Sequence, residues 1–93
     1  MYVVVRKDLS IPQQAVQAGH AVAKLVQSGL DKAWNGTLIY LGIDSEDKLA
    51  HWGDKLTNRG IEWIGFREPD IGNQLTAIAA VDEGKAFSNL RLL

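Results

Sequence analysis

The sequence contains no cysteine and only two histidines. The absence of cysteine excludes disulfide bonds, thiolate metal sites and a cysteine nucleophile, and two histidines disfavour a zinc site. No apolar run approaches the length of a membrane span, and the chain enters a strand pattern directly, without a signal peptide. We therefore expect a cytoplasmic protein without a metal, a cofactor or a membrane segment.

An excess of charge of one sign is also lacking, since ten basic residues oppose eleven acidic ones and the formal net charge is −1. This balance excludes a strong overall attraction to nucleic acid. Folding can still gather a local basic patch from Arg6, Lys7, Lys24 and Arg67. Ninety-three residues, 46% of them hydrophobic, predict one domain over residues 1–93 with a small core.

Hydrophobic periodicity predicts the element order β-α-β-α-β-β. The predicted strands cover residues 2–5, 37–41, 61–66 and 75–81, and the predicted helices cover residues 12–28, 44–59 and 85–90. Ser10, or the residue after it, caps the first helix, and Gly60 ends the second. Residues 67–74 form a polar loop because Pro69 and Gly72 interrupt any regular pattern.

The first helix carries two kinds of residue on opposite sides. The face predicted to pack on the sheet consists of Ala15, Ala18, Val22, Leu25 and Val26. The opposite stripe consists of Gln13, Gln17, His20 and Lys24. This stripe is either a functional site or the solvated face of an amphipathic helix, and its spacing alone favours the solvated face.

The connections between elements predict the sheet. Two right-handed crossovers make the first three strands parallel, and the short loop after the third strand lets the fourth return antiparallel. The fourth strand is apolar on both faces and is therefore predicted to be central. If it lies beside the first strand, one end of the sheet gathers Arg6, Asp8, Gln13, Glu68, Asp70 and Thr76.

Two motifs in the first third of the chain resemble the type 2 peptidyl-tRNA hydrolase family. Residues 4–9 read V-V-R-K-D-L, and residues 15–21 read A-V-Q-A-G-H-A, close to the V-R-x-D-L and A-A-Q-x-x-H-A of that family. Residues 67–79 resemble its C-terminal loop and last strand more loosely. The resemblance implies an α/β fold with a four-stranded mixed sheet flanked by helices on both faces. It also implies hydrolysis of the ester bond of peptidyl-tRNA, with no required metal.

The correspondence with the family is made residue by residue. Asp8, Gln17, His20 and Thr76 match family residues of the same type. The family's catalytic lysine falls on Gln13, and its loop aspartate is represented by Glu68 or, less directly, by Asp70. Gln13 can donate a hydrogen bond but carries no charge. By analogy with oxyanion-hole donors, losing a charged partner costs roughly 2–4 kcal/mol, or about 100- to 1,000-fold in rate.

These comparisons lead to a set of predicted site residues. The predicted catalytic residues are Gln13, Glu68, Asp70 and Thr76, with a carboxylate activating water while Gln13 and Thr76 bond the ester or the terminal ribose. The predicted tRNA-binding residues are Arg6, Lys7, Asp8, Gln17, His20, Lys24 and Arg67. The predicted partners are peptidyl-tRNA and a second copy of the chain, with Trp34, Phe87 or Leu92 as candidate dimer contacts.

One alternative function remains open. The same fold can serve as a non-catalytic module that binds RNA or protein, and the missing lysine and slight acidity favour this interpretation. His51 is predicted to be merely solvated on the outer face of its helix. Trp34, Trp52 and Trp63 are interpreted as core or interface anchors rather than stacking platforms for bases.

Overall fold

The computed structural model describes residues 1–82, 87 and 90–92. In chain order the elements are β1 (Tyr2–Arg6), α1 (Ile11–Gln27), β2 (Ile39–Ile43), α2 (Glu46–Asn58), β3 (Ile64–Glu68), β4 (Gln74–Ala80) and β5 (Arg91–Leu92). A 3-10 turn, Pro69–Ile71, connects β3 to β4. Most of the helix predicted over residues 85–90 falls outside the described residues. No helix in the described ranges has the length and apolar character needed to cross a membrane.

The sheet is mixed, with the strand order β3-β4-β1-β2-β5. β1 pairs with β2 in parallel, and β4 runs antiparallel between β1 and β3. The antiparallel return and the central position of β4 are therefore confirmed. The predicted strand count of four is wrong, because β5 adds an antiparallel pairing to β2. A strand of two residues has no periodicity by which the sequence alone would reveal it.

The two helices cover opposite faces of the sheet. The strand alternation of β1 directs Val3 and Val5 into the cluster that contains α1, and Val4 into the cluster that contains α2. Each cluster also contains a fully buried leucine from its helix, Leu25 of α1 in the first and Leu49 of α2 in the second. The α/β class with helices on both faces thus follows from alternating apolar residues in a strand that is buried on both sides.

The packed face of α1 is rotated relative to the prediction. The buried residues of this helix are Gln17, Ala18, Ala21 and Leu25, whereas Ala15 and Val26 are exposed. The prediction failed because it placed Gln17 with the solvated residues by polarity alone. A buried amide is tolerated when its donors and acceptor are satisfied, and the Gln17 amide makes three hydrogen bonds.

Two strands begin later than predicted because hydrogen bonds use their first residues elsewhere. The Thr37 carbonyl accepts from the N-terminal amino group and from the Trp34 indole, so β2 begins at Ile39. The Ile61 N–H donates to the Leu56 carbonyl across Gly60, which has a positive φ of 74°, and closes the end of α2. β3 accordingly begins at Ile64.

The residues considered for a dimer surface differ in burial. Phe87 is buried, and its ring stacks on Tyr2 with the centroids 4.5 Å apart. It therefore offers no exposed apolar surface, contrary to the expectation. Trp34 is half-buried against the α1 cluster, while Leu92 is exposed. Among the three, Leu92 alone presents an exposed apolar side chain.

Candidate functional site

The start of α1 is fixed to the end of β1 by short-range hydrogen bonds. The Ser10 hydroxyl caps the helix by accepting from the Gln13 N–H, and Pro12 occupies the first turn, where its missing N–H is not needed. The Gln14 amide donates to the carbonyls of Lys7 and Leu9. These contacts set the position of Gln13, one turn before Gln17.

Glu68 reaches the same region from the other end of the chain. It is the last residue of β3, just after a register shift between Phe66 and Arg67. Its backbone carbonyl accepts from the Asn73 N–H across the 3-10 turn. Gly72 and Asn73 both have positive φ values, 73° and 58°, which make this return tight enough to lead directly into β4.

A hydrogen-bonded network around Gln17 joins α1 to the adjoining ends of β3 and β4. The Gln17 Nε2 group donates to Glu68 Oε2 at 2.9 Å and to Gln13 Oε1 at 3.1 Å. The Thr76 hydroxyl donates to Gln17 Oε1 at 2.8 Å. An ionised carboxylate can only accept, so Glu68 fixes which end of the Gln17 amide faces it. We call Gln13, Gln17, Glu68 and Thr76 the amide network.

Thr76 has a positioning role within this network. Its side chain is fully buried, and besides Gln17 Oε1 the Phe66 carbonyl lies 3.2 Å from its hydroxyl. The single hydroxyl proton is therefore used inside the protein. The expectation that Thr76 bonds a reacting ester does not fit this geometry; the residue instead orients Gln17, which in turn orients Glu68.

The carboxyl group of Glu68 is held in its charged form. Hydrogen bonds from the Gln17 side chain and from the Asp70 N–H, together with the nearby His20, lower its pKa below the ordinary value. The His20 ring stacks on Phe66 with the centroids 4.5 Å apart, which places it beside the end of β3. Asp70, the other candidate carboxylate, is exposed, and its backbone N–H donates a hydrogen bond to Glu68 Oε1.

Arg6 belongs to a second cluster at the same end of the sheet. Its guanidinium binds both Asp8 carboxylate oxygens, at 2.9 and 2.8 Å, and donates from Nη1 to Gln74 Oε1 and the Leu75 carbonyl. The ion pair lowers the pKa of Asp8. Because Arg6 is buried and four of its five donors have partners, it ties β1 to β4. The geometry gives no support to the predicted contact of Arg6 with a tRNA phosphate, or to a contact of Asp8 with substrate.

Glu46 completes this second cluster and was not identified from the sequence. Its Oε2 atom accepts a 2.6 Å hydrogen bond from the Leu75 N–H, and its charge acts on Arg6. The sequence showed Glu46 only as an acidic residue in the first turn of a helix, where such residues are common. Glu46 lies shortly after β2, but its bond to Leu75 is set by the tertiary fold and has no signal in the sequence.

The predicted basic residues do not form one patch. Lys7 lies 3.4 Å from Asp44 and lines a cleft of about 460 Å³ between β2 and α2, together with His51. Lys24 and Arg67 instead lie along β3, at the opposite side of the sheet. His51 is exposed, as predicted.

Chemically, the amide network presents the anionic carboxylate of Glu68 and the exposed amide of Gln13, both held by the buried pair Gln17 and Thr76. Within the described residues, no set of three or more histidine, cysteine, aspartate or glutamate side chains is arranged to hold a metal ion. No protein-family model matches the chain.

Proposed function

We propose that this protein hydrolyses the ester bond of peptidyl-tRNA. The observation that carries the proposal is the amide network, because it joins α1 to the adjoining ends of β3 and β4 and includes one carboxylate. Each of its four members occupies a position that corresponds to a functional residue in the resemblance to type 2 peptidyl-tRNA hydrolases. A solvated amphipathic face would not need Gln17 buried with all its amide atoms in hydrogen bonds.

In the proposed reaction Glu68 activates the attacking water. Its carboxylate accepts a hydrogen bond from the water and takes one proton as the water oxygen bonds to the ester carbon. The ester C–O bond then breaks, and the proton passes to the departing ribose oxygen, which leaves a free peptide and a tRNA with a 3′ or 2′ hydroxyl. The lowered pKa makes Glu68 a weaker base than an ordinary glutamate, and the hydrogen bond that it accepts also orients the water.

Gln13 is the proposed donor to the developing oxyanion. Its Oε1 atom accepts from Gln17, and in the described residues no protein group accepts from its amide nitrogen. Since Gln13 is exposed, that nitrogen is accessible to a substrate. Removing one such donor costs about 100- to 1,000-fold in rate in other hydrolases, so Gln13→Ala should reduce kcat on this scale.

Single-turnover hydrolysis of a peptidyl-tRNA tests the proposal. We expect Glu68→Gln to reduce kcat/KM by roughly 100- to 10,000-fold, the range for loss of a general base. Gln13→Lys should increase the rate, because a charged donor bonds an oxyanion about twice as strongly as a neutral one. The matched control is Asp47→Asn, which neutralises an exposed carboxylate on α2 and should leave the rate unchanged. Wild-type hydrolysis that survives Glu68→Gln would contradict this assignment.

The second candidate is an RNA-binding module that does not hydrolyse its ligand. Two observations favour it, namely the neutral Gln13 in place of a lysine and the lowered pKa of Glu68, which weakens that group as a base. Binding of tRNA that falls steeply with salt, without turnover, would support this candidate. Turnover that appears only in Gln13→Lys would identify the protein as a binding module with the scaffold of a hydrolase.

A further inference from the structure

In the sheet that the described residues form, β3 is an edge strand, and a groove of about 440 Å³ lies beside it. The groove is lined by the aromatic side chains of Trp63 and Phe66, by Leu75, and by two cationic side chains, Lys24 and Arg67. We call this the β3 groove. It begins next to Glu68, because Arg67 and Glu68 are consecutive residues at the end of the strand.

The aromatic residues of the β3 groove are held in fixed positions. The Trp63 indole donates a 2.9 Å hydrogen bond to the Thr57 hydroxyl, and its ring lies directly over Gly53 and Gly65. Even a methyl group on either glycine would contact that ring at 3.0 Å or less. Phe66 is fixed by the parallel His20 ring, at an interplanar angle of 13°. Trp63 packs toward the α2 side of the sheet and Phe66 toward the α1 side, so two fixed aromatic residues border the β3 groove.

The two cations are also held in place, and both retain unused donors. Lys24 Nζ donates to the Gly65 carbonyl at 3.0 Å, and Arg67 Nη1 donates to the Asn73 carbonyl at 3.2 Å. An ammonium has three N–H donors and a guanidinium has five, so most of these donors remain for an anion. Neither cation forms an ion pair within the described residues. Their charge is therefore available to a phosphate.

We infer that the β3 groove binds a nucleotide of the single-stranded 3′ end of tRNA, an inference that rests on the proposed function. Fixed aromatic surfaces with flanking cations are the combination by which proteins hold unpaired nucleotides without reading a long sequence. A phosphate between Lys24 and Arg67 would lead the chain toward Glu68, where the esterified ribose would be placed. The groove would thus position the reacting ester from the nucleic-acid side.

The test compares two labelled RNA minihelices, one ending in a single-stranded 3′ overhang and one blunt-ended, by fluorescence anisotropy at fixed salt. The wild-type protein should bind the overhang form at least about fivefold more tightly, the lower limit for one stacked base. This preference should disappear in Phe66→Leu, which keeps an apolar side chain but removes the ring. Arg67→Gln should lower the salt slope by about 0.7 for one phosphate contact, whereas the charge-matched control Arg59→Gln should not.

Equal binding of both minihelices by the wild-type protein would overturn the inference, even if the protein hydrolyses peptidyl-tRNA. A preference that persists in both Phe66→Leu and Arg67→Gln would overturn it as well. A dimer in solution that dissociates on Phe66→Leu would identify the groove as an interface between two copies instead. Overhang-dependent binding with no hydrolysis would support the groove and refute the catalytic proposal, so the two failures are distinguishable.

Discussion

Replacing Gln17 by glutamate should reverse the way in which stability depends on pH. The substitution keeps the shape of the side chain but replaces the Nε2 donor by an acceptor. That acceptor would face Glu68 Oε2 and Gln13 Oε1, which now lie 2.9 and 3.1 Å from Nε2. Two adjacent acceptors cannot both stay ionised in a buried position, so the folded variant must take up a proton at neutral pH.

The sign follows from the protons bound in each state. In the wild-type protein the pKa of Glu68 is lowered, so this group contributes stability above its ordinary pKa, and the contribution is lost as pH falls through the folded pKa. In Gln17→Glu the folded state binds a proton that the unfolded state lacks. Its stability should therefore rise as pH falls from about 7 to about 5, by roughly 1.4 kcal/mol per pH unit for one proton.

The total effect should be large because Gln17 has only 1% of its surface exposed. An uncompensated buried charge costs about 3–5 kcal/mol, and the half-exposed surroundings of Glu68 reduce this toward the lower end. Urea denaturation followed by tryptophan fluorescence, at about pH 5, 6 and 7, measures both magnitude and slope. Gln27→Glu makes the same change at an exposed position of α1 and serves as the control.

Gln17→Leu separates charge from packing. In this variant the Thr76 hydroxyl would still donate to the Phe66 carbonyl, and water would replace Gln17 as the partner of the Gln13 and Glu68 side chains. We expect a loss of about 1–2 kcal/mol without the reversed slope. If Gln17→Glu shows the same slope as the wild-type protein, or unfolds no more easily than Gln17→Leu at neutral pH, the described amide network is incorrect.

Two further predictions concern the scaffold. Gly53→Ala should destabilise the protein by about 1–3 kcal/mol, because the new Cβ would lie 2.6 Å from a Trp63 ring atom. Gly19→Ala places its Cβ in open space and should stabilise the protein by about 0.5–1 kcal/mol. Thermal unfolding of both variants checks this, and equal shifts would contradict the packing of Trp63. Arg6→Met should lower the free energy of unfolding, measured by urea denaturation, by about 2–4 kcal/mol. It removes four hydrogen bonds, and rehydration of Asp8 recovers part of their contribution. A loss below about 1 kcal/mol would show that Arg6 does not hold β1 and β4 together.

The fold was predictable where residue pattern alone determines structure. The alternating apolar residues of β1, the caps of α1 and α2, and the apolar run of β4 are local signals, and the short return after β3 leads to the antiparallel pairing. The starts of β2 and β3 were wrong because Thr37 and Ile61 are engaged by hydrogen bonds to other parts of the chain. The contact of Thr37 has no signature in the sequence, whereas Gly60 marked the end of α2 but not how many residues follow before β3 begins.

The candidate site was predictable as a neighbourhood but not as a set of roles. The topology led us to expect Glu68 and Thr76 near Gln13, and the amide network brings them together. The burial of Gln17 was not predictable, because polar residues are placed at the surface by default. The structural role of Arg6 was missed for the same reason, since an arginine after a strand has no feature that distinguishes a buried tie from a phosphate ligand.

The amide network and the cluster of Arg6, Asp8 and Glu46 both form hydrogen bonds with the beginning of β4. Leu75 contributes its backbone groups to Arg6 and Glu46, and the next residue, Thr76, contributes its side chain to Gln17. A shift of this short segment must therefore disturb both clusters, so loss of activity in an Arg6 variant would not by itself make Arg6 a substrate ligand. An activity measurement on Arg6→Met is informative only beside its urea denaturation curve, whereas Gln13 and Glu68 variants leave these backbone contacts intact and report on chemistry directly.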